Sequence, residues 1–142
     1  MIDVRDIEEA GADYIMNTGS PHYVIFENNI SDAKLIEIAK GIRYSNRFEA
    51  DGINVNMVEV LSDGSLKMRT YERGVEGETL SCGTGVTAAA IAYSLKNNWK
   101  DNVSVITKGG KLSVSFKFQN NSYSKIYLIG PAEFVFKGII EL

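Results

Sequence analysis

Tyr71-Glu72-Arg73-Gly74-Val75-Glu76-Gly77-Glu78-Thr79-Leu80-Ser81-Cys82-Gly83-Thr84-Gly85-Val86, continued by Thr87-Ala88-Ala89-Ala90-Ile91-Ala92-Tyr93-Ser94-Leu95-Lys96, decides how this chain is read. The second part predicts a helix over 86–96, because alanine is the best helix former and Val86, Ala89, Ala90, Ala92 and Tyr93 can share one apolar face. The first part then places Cys82, the only cysteine, at the entrance of that helix. The first amides of a helix have no intrahelical acceptor, and the aligned peptide dipoles add roughly half a positive charge there. A sulfur in that field is favoured as the thiolate, and the amides of Gly83, Thr84 and Gly85 can cradle a carboxylate or phosphate. Glycine lets such a ligand approach the backbone. A lone free cysteine is more often a small buried hydrophobe at an ordinary turn. Here Glu72-Arg73 before it and Gly83-Thr84-Gly85 after it turn the reading toward chemistry.

Working outward, 142 residues make one domain, or one domain of something larger, with enough chain for a proper core. The net charge of −3 and pI near 5.2 argue against nucleic acid as a partner. A single cysteine forms no intramolecular disulfide and fits a reducing compartment. With no apolar run of membrane-spanning length and no signal-peptide pattern, the expectation is a cytoplasmic protein without membrane contact. No fixed-period repeat or low-complexity tract is present.

Residues 2–10 read as a charged lead-in. Strands are expected over 12–17 and 22–26, separated by the turn Thr18-Gly19-Ser20-Pro21. Ser31 or Asp32 can cap a helix over 33–42 whose buried face is Leu35, Ile38, Ala39 and Ile42. Residues 53–60 and 66–71 form a hairpin about Ser62-Asp63-Gly64-Ser65, the first strand covered on both faces. Residues 97–98 and 101–102 end the Ala-rich helix. Strands follow over 103–107, 112–118, 124–129 and 132–136, and 138–142 closes the chain. The fold class is α+β: about eight strands in a mostly antiparallel sheet wrapped around a central Ala-rich helix, with a second helix.

Other side chains could do chemistry. His22, the only histidine, starts a strand and could point into a cleft or be an ordinary strand-edge residue. Glu72-Arg73 could be a solvated pair, or an acid/base beside a carboxylate clamp. Asn54 and Asn56 are unusual inside a β-branched strand, where an amide is better tolerated facing a ligand or the surface. Glu78-Thr79 reads as a polar loop. One Cys and one His cannot build a metal site, and the Gly-Thr-Gly after Cys82 does not match the signatures expected of a Cys–His thiol hydrolase.

Four motifs in order give the chain a family likeness. Tyr71-Glu72-Arg73-Gly74…Gly77-Glu78-Thr79…Cys82-Gly83-Thr84-Gly85 resembles the second signature of the diaminopimelate epimerases. Gly19-Ser20-Pro21-His22, Gly52-Ile53-Asn54-Val55 and Gly130-Pro131-Ala132 resemble that family's G-N-P-H, its Asn-bearing strand and its late G-P-A. The resemblance implies cofactor-independent inversion of the α-carbon between LL- and meso-diaminopimelate, in lysine and peptidoglycan synthesis. Two cysteines face each other across the substrate, one removing the α-proton and the other returning one. It implies that Cys82 is the second of these thiols, that Glu72 and His22 are catalytic and tune the thiols, and that Asn54, Arg73, Gly83, Thr84 and Ser20 bind substrate. Two departures stand out: Ser20 replaces the family's Asn, and the loop Gly74-Val75-Glu76-Gly77 is one residue longer.

Family members are about twice as long, with two similar domains. Residues 1–142 therefore read as the C-terminal domain, the N-terminal half with the other cysteine being absent and serving as the natural partner. The apolar face that should meet it also permits a homodimer. One thiol cannot complete a two-base inversion, so the isolated chain is expected to be inactive. The alternatives are half of another pyridoxal-independent amino-acid racemase, and a non-catalytic module for anion binding or dimerisation.

Overall fold

The computed structural model describes residues 1–31, 33–97 and 100–141. The strands are β1 (Ile7–Ala10), β2 (Asp13–Asn17), β3 (Pro21–Phe26), β4 (Asn54–Val60), β5 (Leu66–Glu72), β6 (Gly77–Thr79), β7 (Asn102–Thr107), β8 (Gly110–Gln119) and β9 (Ser122–Ile129). The helices are α1 (Leu35–Arg43) and α2 (Gly83–Lys96). One sheet runs β1-β2-β3-β4-β5-β7-β8-β9, with β6 added to β5. Its pairs are antiparallel except β3–β4 and β5–β7. These two parallel joins follow α1 and α2, as expected where a helix carries the chain across. The far edges approach each other: Val4 and Tyr123 exchange backbone hydrogen bonds of 2.8 and 2.9 Å, so the sheet curls nearly shut.

Inside this curl lies α2. Every residue from Gly85 to Ser94 is buried, so the single apolar face read from the sequence becomes a helix covered all round. Small side chains allow this. Ala88, Ala89, Ala90 and Ala92 let the sheet come close on several sides, while Val86, Ile91 and Tyr93 fill the wider gaps with Val58, Leu66, Met68, Val105 and Val114. A second, smaller core lies on the outer face of the sheet, where α1 brings Leu35 and Ala39 onto Ile25, Val55, Met57 and Tyr71. β4, covered by both cores, is buried from Asn54 to Val58.

Several expectations are corrected. Ile38 is 40% exposed, because the short α1 docks through Leu35 and Ala39 and Ile38 lies at the margin of that stripe. The N-cap of α1 is Lys34, without a side-chain cap. Ser31 instead contacts Lys67; Asp32, like Asn98 at the helix end and Leu142 at the terminus, lies outside the described residues. The charged lead-in contains β1, which pairs with β2 through backbone groups that hydrophobic periodicity does not register. Residues 130–141 carry no strand and are exposed, with Phe134, Val135, Phe136, Ile139 and Ile140 each more than 80% open to solvent. The strand expected over 132–136 has strand-forming residues but pairs with none of the described strands.

Candidate active site

Cys82 is the N-cap of α2, with extended backbone (φ −127°, ψ 110°) and a half-buried side chain. Extended geometry at this position aims the following amides of Gly83, Thr84 and Gly85 out of the helix end, beside the sulfur. Cys82 thus stands where the sequence placed it, at the entrance of the helix beside its first amides. Two threonines fix the turn: Thr18 Oγ1 donates to the Thr84 carbonyl at 2.8 Å, and Thr87 Oγ1 donates to the Gly83 carbonyl at 3.0 Å.

Behind the sulfur runs a line of polar groups. Cys82 Sγ lies 3.4 Å from Thr84 Oγ1, Thr84 Oγ1 lies 2.9 Å from His22 Nε2, and His22 Nδ1 lies 2.9 Å from Asn56 Nδ2. Thr70 Oγ1 donates to Asn56 Oδ1 at 3.1 Å. His22 and Asn56 are fully buried. His22 thus points into the interior rather than into a cleft or along a strand edge, and Asn56 faces neither ligand nor surface. Burial, followed by the positive charge of Arg73, pulls the His22 imidazole down to about 4, so it is neutral near pH 7.

The close packing at Gly85 explains the second glycine of the motif. A Cβ there would lie 2.4 Å from Asn56 Oδ1 and 3.3 Å from His22 Cε1. Only a bare backbone allows α2 to seat against this pair.

A second group joins the motifs from the other side. Asn54 donates through Nδ2 to Ser20 Oγ at 2.8 Å and to the Pro21 carbonyl at 3.0 Å, while its Oδ1 accepts the Arg73 amide at 2.9 Å. One side chain thus ties the Ser20 turn to the loop after β5. Arg73 is exposed and packs over Gly52; its guanidinium donates to the Asp51 carbonyl at 2.6 Å. Glu72 ends β5 and accepts the Thr79 hydroxyl. Among the described residues no hydrogen bond joins it to Cys82.

Glu78 is not loop polarity. It accepts two hydrogen bonds from Arg69, at 2.8 and 2.9 Å, and lies 2.9 Å from Lys108. The Arg69 guanidinium, with help from Lys108, holds its carboxyl down to about 2. Glu76 does similar work, accepting from Tyr71, Tyr44, Arg43 and the Gly74 amide, which folds the extra-long loop back on α1.

Sequence reasoning missed Thr18, Thr70 and the structural use of Asn56. An amide inside an otherwise apolar strand was the available signal, and its partner on the adjacent strand was not visible. A cavity of about 620 Å³ is lined by Asp63, Lys100, Lys111 and their neighbours, and neither Cys82 nor His22 lines it.

The fold, a curled and mostly antiparallel sheet around a central helix, is shared with solved structures. It aligns with a phenazine biosynthesis protein of the PhzF family from Bacillus anthracis (TM-score 0.54, 16% identity, 89% of this chain and 39% of that one). It also aligns with a probable proline racemase from Agrobacterium radiobacter (TM-score 0.52, 11% identity, 94% and 50%). At the level of sequence the match is narrower. The family model described as diaminopimelate epimerase matches residues 14–135, and the chain belongs to the diaminopimelate epimerase family. Relatives bearing that name include those of Flavobacterium psychrophilum, 44% identical over 98% of this chain and 56% of the relative, and Chlorobaculum tepidum, 40% identical over 99% and 55%. The chain spans about half the length of the curated relatives it matches.

Proposed function

We propose that this chain is the C-terminal half of a diaminopimelate epimerase and supplies one of its two catalytic thiols. The observation that carries the reading is the half-buried Cys82 at the N-cap of α2, within the family motif, with unpaired helix amides beside it. The substrate's α-carboxylate would sit on the amides of Gly83 and Thr84, where the helix dipole and N–H donors offset its charge. That matters because removing the α-proton leaves a carbanion, which is tolerable only if the adjoining carboxylate is neutralised. Cys82 as thiolate takes the α-proton from one face, or as thiol returns it to the other. Arg73 is a second carboxylate clamp, and Ser20 and Asn54 hold the wall between them. Glu72 and His22 tune the thiols, His22 acting on Cys82 through Thr84. The residues of this chain need no cofactor or metal for these steps.

The opposing thiol lies outside this chain, whose only cysteine is Cys82. The exposed apolar strip Phe134 to Ile140 supports a complementary half as the occupant that covers it. A second copy of this chain is the competing occupant, distinguished by sedimentation of the chain alone.

In deuterated water, the isolated chain is expected to convert LL- to meso-diaminopimelate at no more than about a thousandth of the rate of a full-length relative, since a lone base cannot serve both faces. Turnover approaching that of the relative would contradict the two-thiol assignment.

A further inference from the structure

We propose that Asn56, anchored by Tyr23 and Thr70, is a positioning residue that sets the direction of the hydrogen-bond chain ending on the Cys82 sulfur. The inference rests on the reading of Cys82 as a catalytic thiol, but its first link can be tested without that reading.

The direction follows from which partners can only accept. The Tyr23 carbonyl, 3.4 Å from Asn56 Nδ2, has no proton to give, so it takes one from the amide NH₂. Thr70 Oγ1 donates to Asn56 Oδ1 at 3.1 Å from the opposite side. The Tyr23 carbonyl fixes which end of the amide faces His22: it is the nitrogen, 2.9 Å from Nδ1, and the Thr70 hydroxyl, able to give or accept, serves the oxygen. Both Nδ2 protons are donors, so Nδ1 must present its lone pair. The proton of the neutral ring is then on Nε2, which donates across 2.9 Å to Thr84 Oγ1. The Thr84 hydroxyl, with an oxygen lone pair already engaged, turns its own proton to Cys82 Sγ at 3.4 Å. The whole line therefore delivers a donor to the sulfur and stabilises it as the thiolate.

The opposite order is chemically possible and would act in the opposite sense. If His22 carried its proton on Nδ1, Nε2 would accept from Thr84, and the hydroxyl could only accept from Cys82. The sulfur would then be held as the thiol. Asn56 thus decides between two states of the same residues, although it does not touch the sulfur. His22 in this account stays neutral and moves no proton. The cost of reaching this arrangement is visible in the sequence: Gly85 must be bare because Asn56 Oδ1 occupies the space a Cβ would need.

Because His22 is the only histidine, nitrogen-15 NMR reads its tautomer without ambiguity. In the unaltered chain the Nε2–H form is expected; a dominant Nδ1–H form overturns the proposal. In Asn56→Asp, the carboxylate accepts where the amide donated, so the Nδ1–H form should appear and the rate of Cys82 alkylation by iodoacetamide at pH 7 should fall about ten-fold. Retention of Nε2–H, or a rate within two-fold of the unaltered chain, overturns it. Should Asn56→Asp fail to fold, the tautomer of the unaltered chain and a comparison with Thr84→Val remain. Thr84→Val should slow alkylation to a similar degree, and an unchanged rate overturns the last link. Failure of the epimerase reading would show instead as an enzyme assembled with its complementary half that does not invert diaminopimelate, while the tautomer signal stays as expected.

Discussion

Gly85→Ala is expected to cost this protein about 3 kcal/mol or more, a fall in melting temperature of about 10 °C. The added methyl would meet Asn56 Oδ1 at 2.4 Å. Neither side can give way easily. Asn56 is pinned by Thr70, His22 and Tyr23, and α2 is enclosed by the sheet from Gly85 to Ser94. Relief requires breaking hydrogen bonds between buried groups, each of which then carries its own desolvation penalty. Gly83→Ala is the internal control. Its added carbon meets only Leu128 Cδ2 at 2.8 Å, the far end of a flexible side chain, and the loss should stay below about 1 kcal/mol. Thermal unfolding of the two variants checks the contrast; equal losses would mean that the clash with Asn56 is not what requires the glycine.

Arg69→Met is expected to be comparably severe, at about 3 kcal/mol by denaturant unfolding. The guanidinium holds both oxygens of Glu78 and also donates to the carbonyls of Ile30, at 2.8 Å, and Ala33, at 3.0 Å. It therefore fastens the approach to α1 onto β5 and β6 at once. Removing one member of a largely covered ion pair leaves the other charge and several acceptors without compensation. The same pair predicts a pH dependence. Glu78 is held down to about 2 in the folded chain, below its unfolded range, so its stabilisation is complete above about pH 4.5 and is lost as pH falls toward 2. After allowance for solvent screening, this is about 1–2 kcal/mol. Glu78→Gln should flatten that part of the acid limb; an unchanged acid limb would show that the pair does not carry it.

Much of this architecture was legible in the residues because local signals agreed. The alanine run gave α2, Ser62-Asp63-Gly64-Ser65 gave its hairpin, and the strand expected over 112–118 fell within β8. Cys82 fell at the helix end because the glycines and the apolar run located it. What remained hidden depended on partners distant in sequence. Ile38 could not be assigned to solvent without knowing how narrow the contact of α1 would be. Asn56 and Thr70 face each other across β4 and β5, a register no single strand reveals. The segment 132–136 has the composition of a strand, yet composition does not supply a partner, and among the described residues it stays unpaired. Glu78 looked like loop polarity because nothing local ties it to Arg69, which reaches it from the neighbouring strand β5.

The central claim is that the Cys82 sulfur shares its position with a backbone cradle for a carboxylate. Alkylation with two reagents tests it on this chain alone, using iodoacetate, which carries a carboxylate, and iodoacetamide, which is neutral. Relative to a small free thiol under the same conditions, Cys82 is predicted to favour iodoacetate over iodoacetamide by several-fold, because the helix amides hold the anionic end. A ratio equal to or below that of the free thiol would contradict the account.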